Sequence, residues 1–221
     1  MEKTVAFFHT TMNTPLPLKQ AFHSRFPGAR LITVMDDSVL PEVIANGGSF
    51  TPGIVRRLVS FGSNVQMQGA SVAVCMCTTL TEAVAQAGLA LDIPFITIDG
   101  PMLAQAVTEG ERVALLITAN TTFRASSRSA RQAAIRTGRE QVEIDTILVE
   151  GAFEALNQAH DKALHDRLIA GAARKAALTH DVIALAQVSM VDAAGLLEDL
   201  PVPVLTSLKS GIEQLSQYIE E

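Results

Sequence analysis

The sequence repeats itself once, and that repeat limits the fold more than any other feature. Val5-Ala-Phe-Phe-His-Thr-Thr-Met-Asn-Thr14 lies on Val113-Ala-Leu-Leu-Ile-Thr-Ala-Asn-Thr-Thr122, a shift of 108 residues. Asp92-Ile-Pro-Phe-Ile-Thr97 lies on the run that begins at Leu200, with Pro94 on Pro203, a shift of 109. Two offsets this close, at opposite ends of a half, are hard to produce by chance between unrelated apolar segments. The period is too long for a solenoid unit and suits a small domain. The 221 residues therefore read as α/β: two similar parallel-sheet βα domains related by internal duplication, with a cleft between them. The first spans 1–99 and the second 100–206, and the last helix, within 207–221, is expected to pack back on the first domain.

Within each half, short apolar runs alternate with helical patterns, as in a parallel sheet covered by helices. Strands are expected at Thr4–Phe8, Leu31–Met35, from Ser71 to a mouth at Cys77, and at Asp92–Ile98, Glu111–Thr118, Val142–Val149, Asp181–Met190 and Val202–Thr206. Helices are expected at Pro15–Phe26, Ile54–Gln68, from Glu82 to near Gly88, and at Pro101–Glu109, Phe123–Arg139 and Ser210–Ile219, with one or two more between Glu154 and His180. Asn46-Gly-Gly-Ser-Phe-Thr-Pro-Gly53 reads as a flexible loop, either a lid or a connector. Arg56 and Arg57 read as a solvated helix face. An acid, Asp36, follows the second strand, but the glycines of a dinucleotide site are missing after the first, so that reading fails.

Charge and composition exclude several classes. A net charge of −6 with no basic stripe argues against nucleic acid. No apolar run approaches the roughly 20 residues that span a bilayer, so no membrane partner is expected. Met1-Glu-Lys-Thr-Val reads as a strand opening and not as a signal peptide. The two cysteines, one residue apart, are no disulfide framework, which points to a reduced, cytoplasmic protein. No His lies near the pair at a ligand spacing, so no metal is expected.

The stretch most charged with chemistry is Ser71-Val-Ala-Val-Cys-Met-Cys-Thr-Thr-Leu80. It is a buried-strand pattern that ends in a thiol just before a helix pattern. Open α/β sheets bind ligands at the carboxyl ends of their strands, so Cys77 should stand at a mouth and Cys75 inside the strand. A helix start lowers a thiol's pKa, so Cys77 is expected as an activated thiolate. Thr78 and Thr79 are N-cap and anion-holding candidates. The duplication puts the partner of Cys77 near Ala186 or Gln187. The two mouths carry Thr10, Thr11, Asn13, Thr78, Thr79, Thr118, Asn120, Thr121, Thr122, Gln187 and Ser189. Such donors suit a small carboxylate. Taken singly, each threonine also fits N-cap or turn chemistry.

At Val-Cys-Met-Cys-Thr-Thr-Leu, Ile-Pro-Phe-Ile-Thr-Ile-Asp-Gly-Pro and Leu-Ala-Gln-Val-Ser-Met the chain resembles the aspartate/glutamate/hydantoin racemase superfamily, with arylmalonate decarboxylase and maleate isomerase among its members. The resemblance covers nearly the full length. It implies cofactor-independent chemistry on a small carboxylate, and a homodimer. In the racemases one cysteine removes the α-proton and a pseudo-symmetric one returns a proton to the other face. Cys77 matches the first position. The second holds Gln187 or Ser189, depending on the register, and the chain has no third cysteine. Neither an amide nor an ordinary hydroxyl is a usable acid or base near neutral pH, so two-base racemisation is not expected. The decarboxylase branch protonates one face of an enediolate with a single thiol. By that resemblance Cys77 would be the catalytic residue, with Thr10, Asn13, Thr78, Thr79, Thr118, Thr121, Gln187 and Ser189 on the substrate. The function expected is an isomerase or a decarboxylase-type lyase. The alternative is a catalytically impaired carboxylate-binding protein of the same fold. A serine hydrolase is the weakest reading, since His160, His165 and His180 sit at no strand end and no Gly-x-Ser-x-Gly is present.

Overall fold

The computed structural model describes residues 3–12 and 15–220. They form two compact units, one ending at Ile98 and resuming at Leu208, the other spanning Asp99–Ser207. Each unit is a four-stranded parallel sheet with helices on both faces. The first contains β1 (Thr4–His9), β2 (Arg30–Met35), β3 (Ala70–Cys75) and β4 (Phe95–Thr97), in the order β2-β1-β3-β4. Its helices are α1 (Pro15–Arg25), α2 (Val39–Ala45), α3 (Pro52–Met67) and α4 (Thr81–Gly88). The second contains β5 (Arg112–Ile117), β6 (Glu143–Leu148), β7 (Val182–Leu185) and β8 (Val204–Thr206), in the order β6-β5-β7-β8. Its helices are α5 (Gly100–Glu109), α6 (Asn120–Arg136), α7 (Ala152–Asn157) and α8 (Lys162–Ala176). The chain closes with α9 (Ser207–Glu213) and α10 (Ser216–Ile219).

The central strands bury every side chain because both faces are covered. All six residues of β1 are buried. Ala6 and Phe8 share one face with Ala73 and Cys75, under Ile54, Leu58, Phe61 and Val65 of α3 and Ala83 and Ala87 of α4. On the other face Phe7 meets Phe22 of α1 edge to face at 5.6 Å. Burying side chains of this size stabilises by about 1.5–3 kcal/mol each. The second unit repeats the scheme: Leu115, Ile117 and Ala184 pack with α5 and α6, and Ala114, Leu116 and Ile183 with α8. Local signals start the helices. Thr51 accepts from the Ile54 N–H and Pro52 opens α3, while Asp161 caps α8 at Leu164.

The duplication is visible in the ladders. Phe8 pairs with Cys75 as Leu116 pairs with Leu185, and Cys75 pairs with Thr97 as Leu185 pairs with Thr206. The shift is thus 108 residues at the first strand, 110 at the third and 109 at the fourth.

Several elements differ from expectation, among them α2, where no helix was expected. The strand expected over Asp181–Met190 is strand only over Val182–Leu185; Val188–Leu196 is a 3₁₀ helix. Beyond the bond from Ala186 N–H to Leu116 O the neighbouring strand has ended and no ladder remains. The fourth strand shrinks to Phe95–Thr97, because Pro94 has no N–H to donate, although its carbonyl still accepts from Ala73. The last helix is two short ones. At the break the N–H groups of Leu215 and Tyr218 reach back only three residues, and the Ser216 hydroxyl takes the Glu213 carbonyl. Both short helices lie with the first unit: Arg25 of α1 forks onto Glu213 at 2.9 and 3.0 Å, and Ser71 donates to Tyr218 O. Among the described residues no helix is long and apolar enough to cross a membrane.

Candidate active site

In each sheet the strand order reverses between the first and third strands, the point at which open α/β sheets bind ligands. In the first unit β1 ends at His9 and passes to Thr10. The last ladder bond of β3 runs from Met76 N–H to Phe8 O at 2.9 Å. Cys77 follows in extended geometry (φ −125°, ψ 106°), and a 3₁₀ turn over Thr78–Leu80 leads into α4. Cys75 is fully buried and donates through sulfur to Cys77 O at 3.7 Å, while Cys77 keeps part of its surface open. The hydroxyls of Thr10 and Thr79 and the N–H groups of Thr79 and Leu80 are directed at the Cys77 sulfur.

The thiol does not behave as expected. Burial pushes its pKa up, and the four donors reduce that shift without reversing it. The sulfur is lodged against the apolar cluster that contains Cys75, Leu80 and Val84. There an anion loses more in hydration than four hydrogen bonds return. The expectation of an activated thiolate is therefore corrected: Cys77 rests as a protonated thiol. His9, fully buried at the end of β1, is neutral as well, since burial lowers it to about 4.

The second unit holds the equivalent place. The bond from Ala186 N–H to Leu116 O, at 3.0 Å, repeats the one from Met76 to Phe8. Gln187 thus stands where Cys77 stands, also extended (φ −120°, ψ 142°), and Ser189 stands where Thr79 does. Thr118, the counterpart of Thr10, gives its N–H (2.6 Å) and its hydroxyl (2.9 Å) to Gln187 Oε1. The same threonine-to-mouth pairing is kept in both halves, with an amide in place of the thiol.

The structure thus gathers Thr10, Cys77 and Thr79 in one unit and Thr118 and Gln187 in the other. Thr78 is buried in the 3₁₀ turn, and its carbonyl accepts from Thr81. Thr121 and Ser189 are half-buried at the starts of α6 and of the second 3₁₀ helix. Thr122 is buried and spends its hydroxyl on Ala119 O, as turn chemistry requires. Asn13 lies outside the described residues. Among the described residues no cluster of His, Cys, Asp and Glu could hold a metal.

One constellation escaped the sequence reading. Arg57 is not a solvated arginine: it holds Asp36 at 3.0 Å, the Ser38 hydroxyl at 2.8 Å, and Glu42. Burial pushes the Asp36 carboxyl up, but Ser38 and Arg57 outweigh it and keep it below the usual range. Thr51 donates to Glu42 at 2.6 Å, so the network ties the end of β2 to α2 and to the start of α3. The acid after the second strand was the one available signal, and its partner lay 21 residues on. A separate surface groove of about 520 Å³, lined by Arg131, Glu140, Glu143 and Asp145, lies at the N-terminal end of β6, away from the strand mouths.

Comparison with known proteins agrees with this architecture. A family model described as Asp/Glu/Hydantoin racemase matches residues 11–215. A glutamate racemase from Bacillus anthracis superposes with a TM-score of 0.70 at 14% identity, covering 99% of this chain and 82% of that one. An allantoin racemase from Klebsiella pneumoniae gives 0.68 at 16% identity, covering 99% and 88%. An aspartate racemase homologue from Pyrococcus horikoshii gives 0.68 at 16%, covering both chains fully. No curated protein sequence matches the chain.

Proposed function

The chain belongs to the Asp/Glu/hydantoin racemase family, and from that membership we propose that it is a one-thiol enzyme acting on a small carboxylate through an enediolate-like intermediate. Cys77 is the proton-transfer residue. The observation that carries the reading is the pair of equivalent mouths: a protonated thiol ringed by four donors in one, and Gln187 in the other.

A neutral thiol suits the protonation half of the chemistry. In a lyase-type turnover the bond to the departing carboxyl group breaks and its electron pair stays on the α-carbon, spread into the remaining carboxylate. Cys77 S–H then gives its proton to that carbon. The thiolate so formed is stabilised by the donors already aimed at it, the hydroxyls of Thr10 and Thr79 and the N–H groups of Thr79 and Leu80. Thr78, Thr121, Gln187 and Ser189 are assigned to the substrate's oxygens, with Asn13, while Thr118 holds Gln187. The family reading carries a homodimer, a cytoplasmic location and cofactor independence as further proposals.

The test is deuterium incorporation at the α-carbon in heavy water, across amino acids, hydantoins and substituted malonates. The expected result is one stereospecific deuteron on one class of substrate, lost in Cys77→Ala. Efficient racemisation of free aspartate or glutamate by the unmodified protein would overturn the one-thiol reading, and so would activity surviving in Cys77→Ala. Specific carboxylate binding with no exchange in any class favours the second reading, a binding protein, for which the amide at the second mouth is the supporting observation.

A further inference from the structure

Resting on that reading, we infer that Gln187 is a fixed, donor-only clamp for a substrate carboxylate oxygen, and that Thr118 is the residue that positions it. The hydrogen bond that holds Gln187 cannot be reversed in direction. A side-chain amide has an accepting end and a donating end. Here the partner decides. The Thr118 backbone N–H can only donate, and at 2.6 Å it must meet the amide oxygen. The Thr118 hydroxyl, at 2.9 Å from the same oxygen, adds a second donor. With Oε1 held twice, rotation of the amide would set two N–H groups against a third. Nε2 is therefore turned away from Thr118, and it has no partner among the described residues. Gln187 is half-buried, so this NH₂ is not simply solvated surface.

The chemical consequence is one of selection. The second mouth offers two N–H donors and neither a base nor an acid. Donors of this kind prefer an oxygen carrying negative charge, and the bond is strongest when the acceptor is ionised. Where a two-base racemase needs a group that exchanges a proton, this chain has one that can only hold an oxygen. Thr118 does not touch the substrate in this role; it sets which end of the amide does.

The test uses the full chain with ¹⁵N on glutamine side chains, the Gln187 NH₂ pair being assigned by its loss in Gln187→Met. Malonate is the probe, with sodium chloride at matched ionic strength as the control. The pair is expected to move saturably with malonate and not with chloride. Gln187→Glu keeps an oxygen for both Thr118 donors but removes the two N–H groups, so the fold is retained while malonate binding weakens about tenfold to a hundredfold. Thr118→Val weakens binding several-fold and Thr118→Ser restores it; a purely structural threonine would change stability without that rescue of binding. If the Gln187 pair stays still while malonate slows alkylation of Cys77, the clamp is refuted and the one-thiol reading stands. If malonate neither moves the pair nor slows alkylation, both fall. Thr118→Val binding malonate as tightly as the unmodified chain would refute the positioning role.

Discussion

Adding one methyl group at Gly211 tests how the C-terminal helices are held. Gly211 is buried in α9, against Ile98 at the end of β4. A Cβ placed there would lie 2.4 Å from the Ile98 carbonyl oxygen, 2.4 Å from its Cδ1 and 2.6 Å from its Cγ1. The side chain can rotate, but the carbonyl cannot, because Ile98 is tied to the sheet by its own N–H bond to Cys75 O at 3.2 Å. The helix must therefore move by about 1 Å to reach ordinary contact. That motion strains the Arg25–Glu213 fork and the packing of Ile212 and Leu215. Overpacking of this kind costs about 1–3 kcal/mol, set against about 0.5–1 kcal/mol gained by replacing a helical glycine with alanine. Gly211→Ala should thus destabilise by about 1–2 kcal/mol, which lowers a urea midpoint by about 0.5–1 M. Two controls separate the terms. At Gly62 in α3 the new Cβ meets only the Leu91 side chain, whose rotamer can give way, so a smaller loss is expected. At Gly171 in α8 nothing lies within 4 Å, and Gly171→Ala should stabilise by about 0.5–1 kcal/mol. The assay is urea denaturation followed by far-ultraviolet circular dichroism and by tyrosine fluorescence. The chain has no Trp and one Tyr, Tyr218 in α10, so fluorescence reports the region that carries the change. A Gly211→Ala chain as stable as the unmodified protein would refute the docking of α9 on Ile98.

Two pH dependences follow from the burial of ionisable groups. Because burial raises the Cys77 pKa, its alkylation by iodoacetamide should half-titrate above the usual thiol range, about 8.5. The associated stability is present below that range and is lost as pH rises through it, since the unfolded chain then releases its proton first; half-titration below the usual range would refute the desolvated thiol. His9 acts at the other end. Its folded pKa is lowered from 6.5 to about 4, so its contribution is present above pH 6.5 and is lost as pH falls from there toward about 4. A urea midpoint that falls less over that interval in His9→Phe than in the unmodified chain is the expected result, and an identical fall in the two chains would refute it.

The sequence by itself determined the duplication, the parallel α/β class and the family. Each is written in patterns that need no third dimension: apolar runs at fixed offsets, Pro94 over Pro203, and a thiol followed by two threonines where a strand pattern meets a helix pattern. Strand ends were legible less well. Where β7 stops depends on where the neighbouring strand stops, and that is a property of the ladder. The choice between Gln187 and Ser189 was likewise beyond the sequence, because the offset drifts from 108 to 110 between the first and third strands, and only the bonds to Phe8 and Leu116 fix it. Arg57 read as solvated because its acidic partners come from β2's end and from α2, and charge pairing across elements has no local signature. The direction in which the Cys77 pKa moves was decided by the fold. The helix start and the threonines, which are visible in the sequence, do aim donors at the sulfur. The apolar cluster around it, assembled from β3, α3 and α4, costs a thiolate more hydration than those donors return.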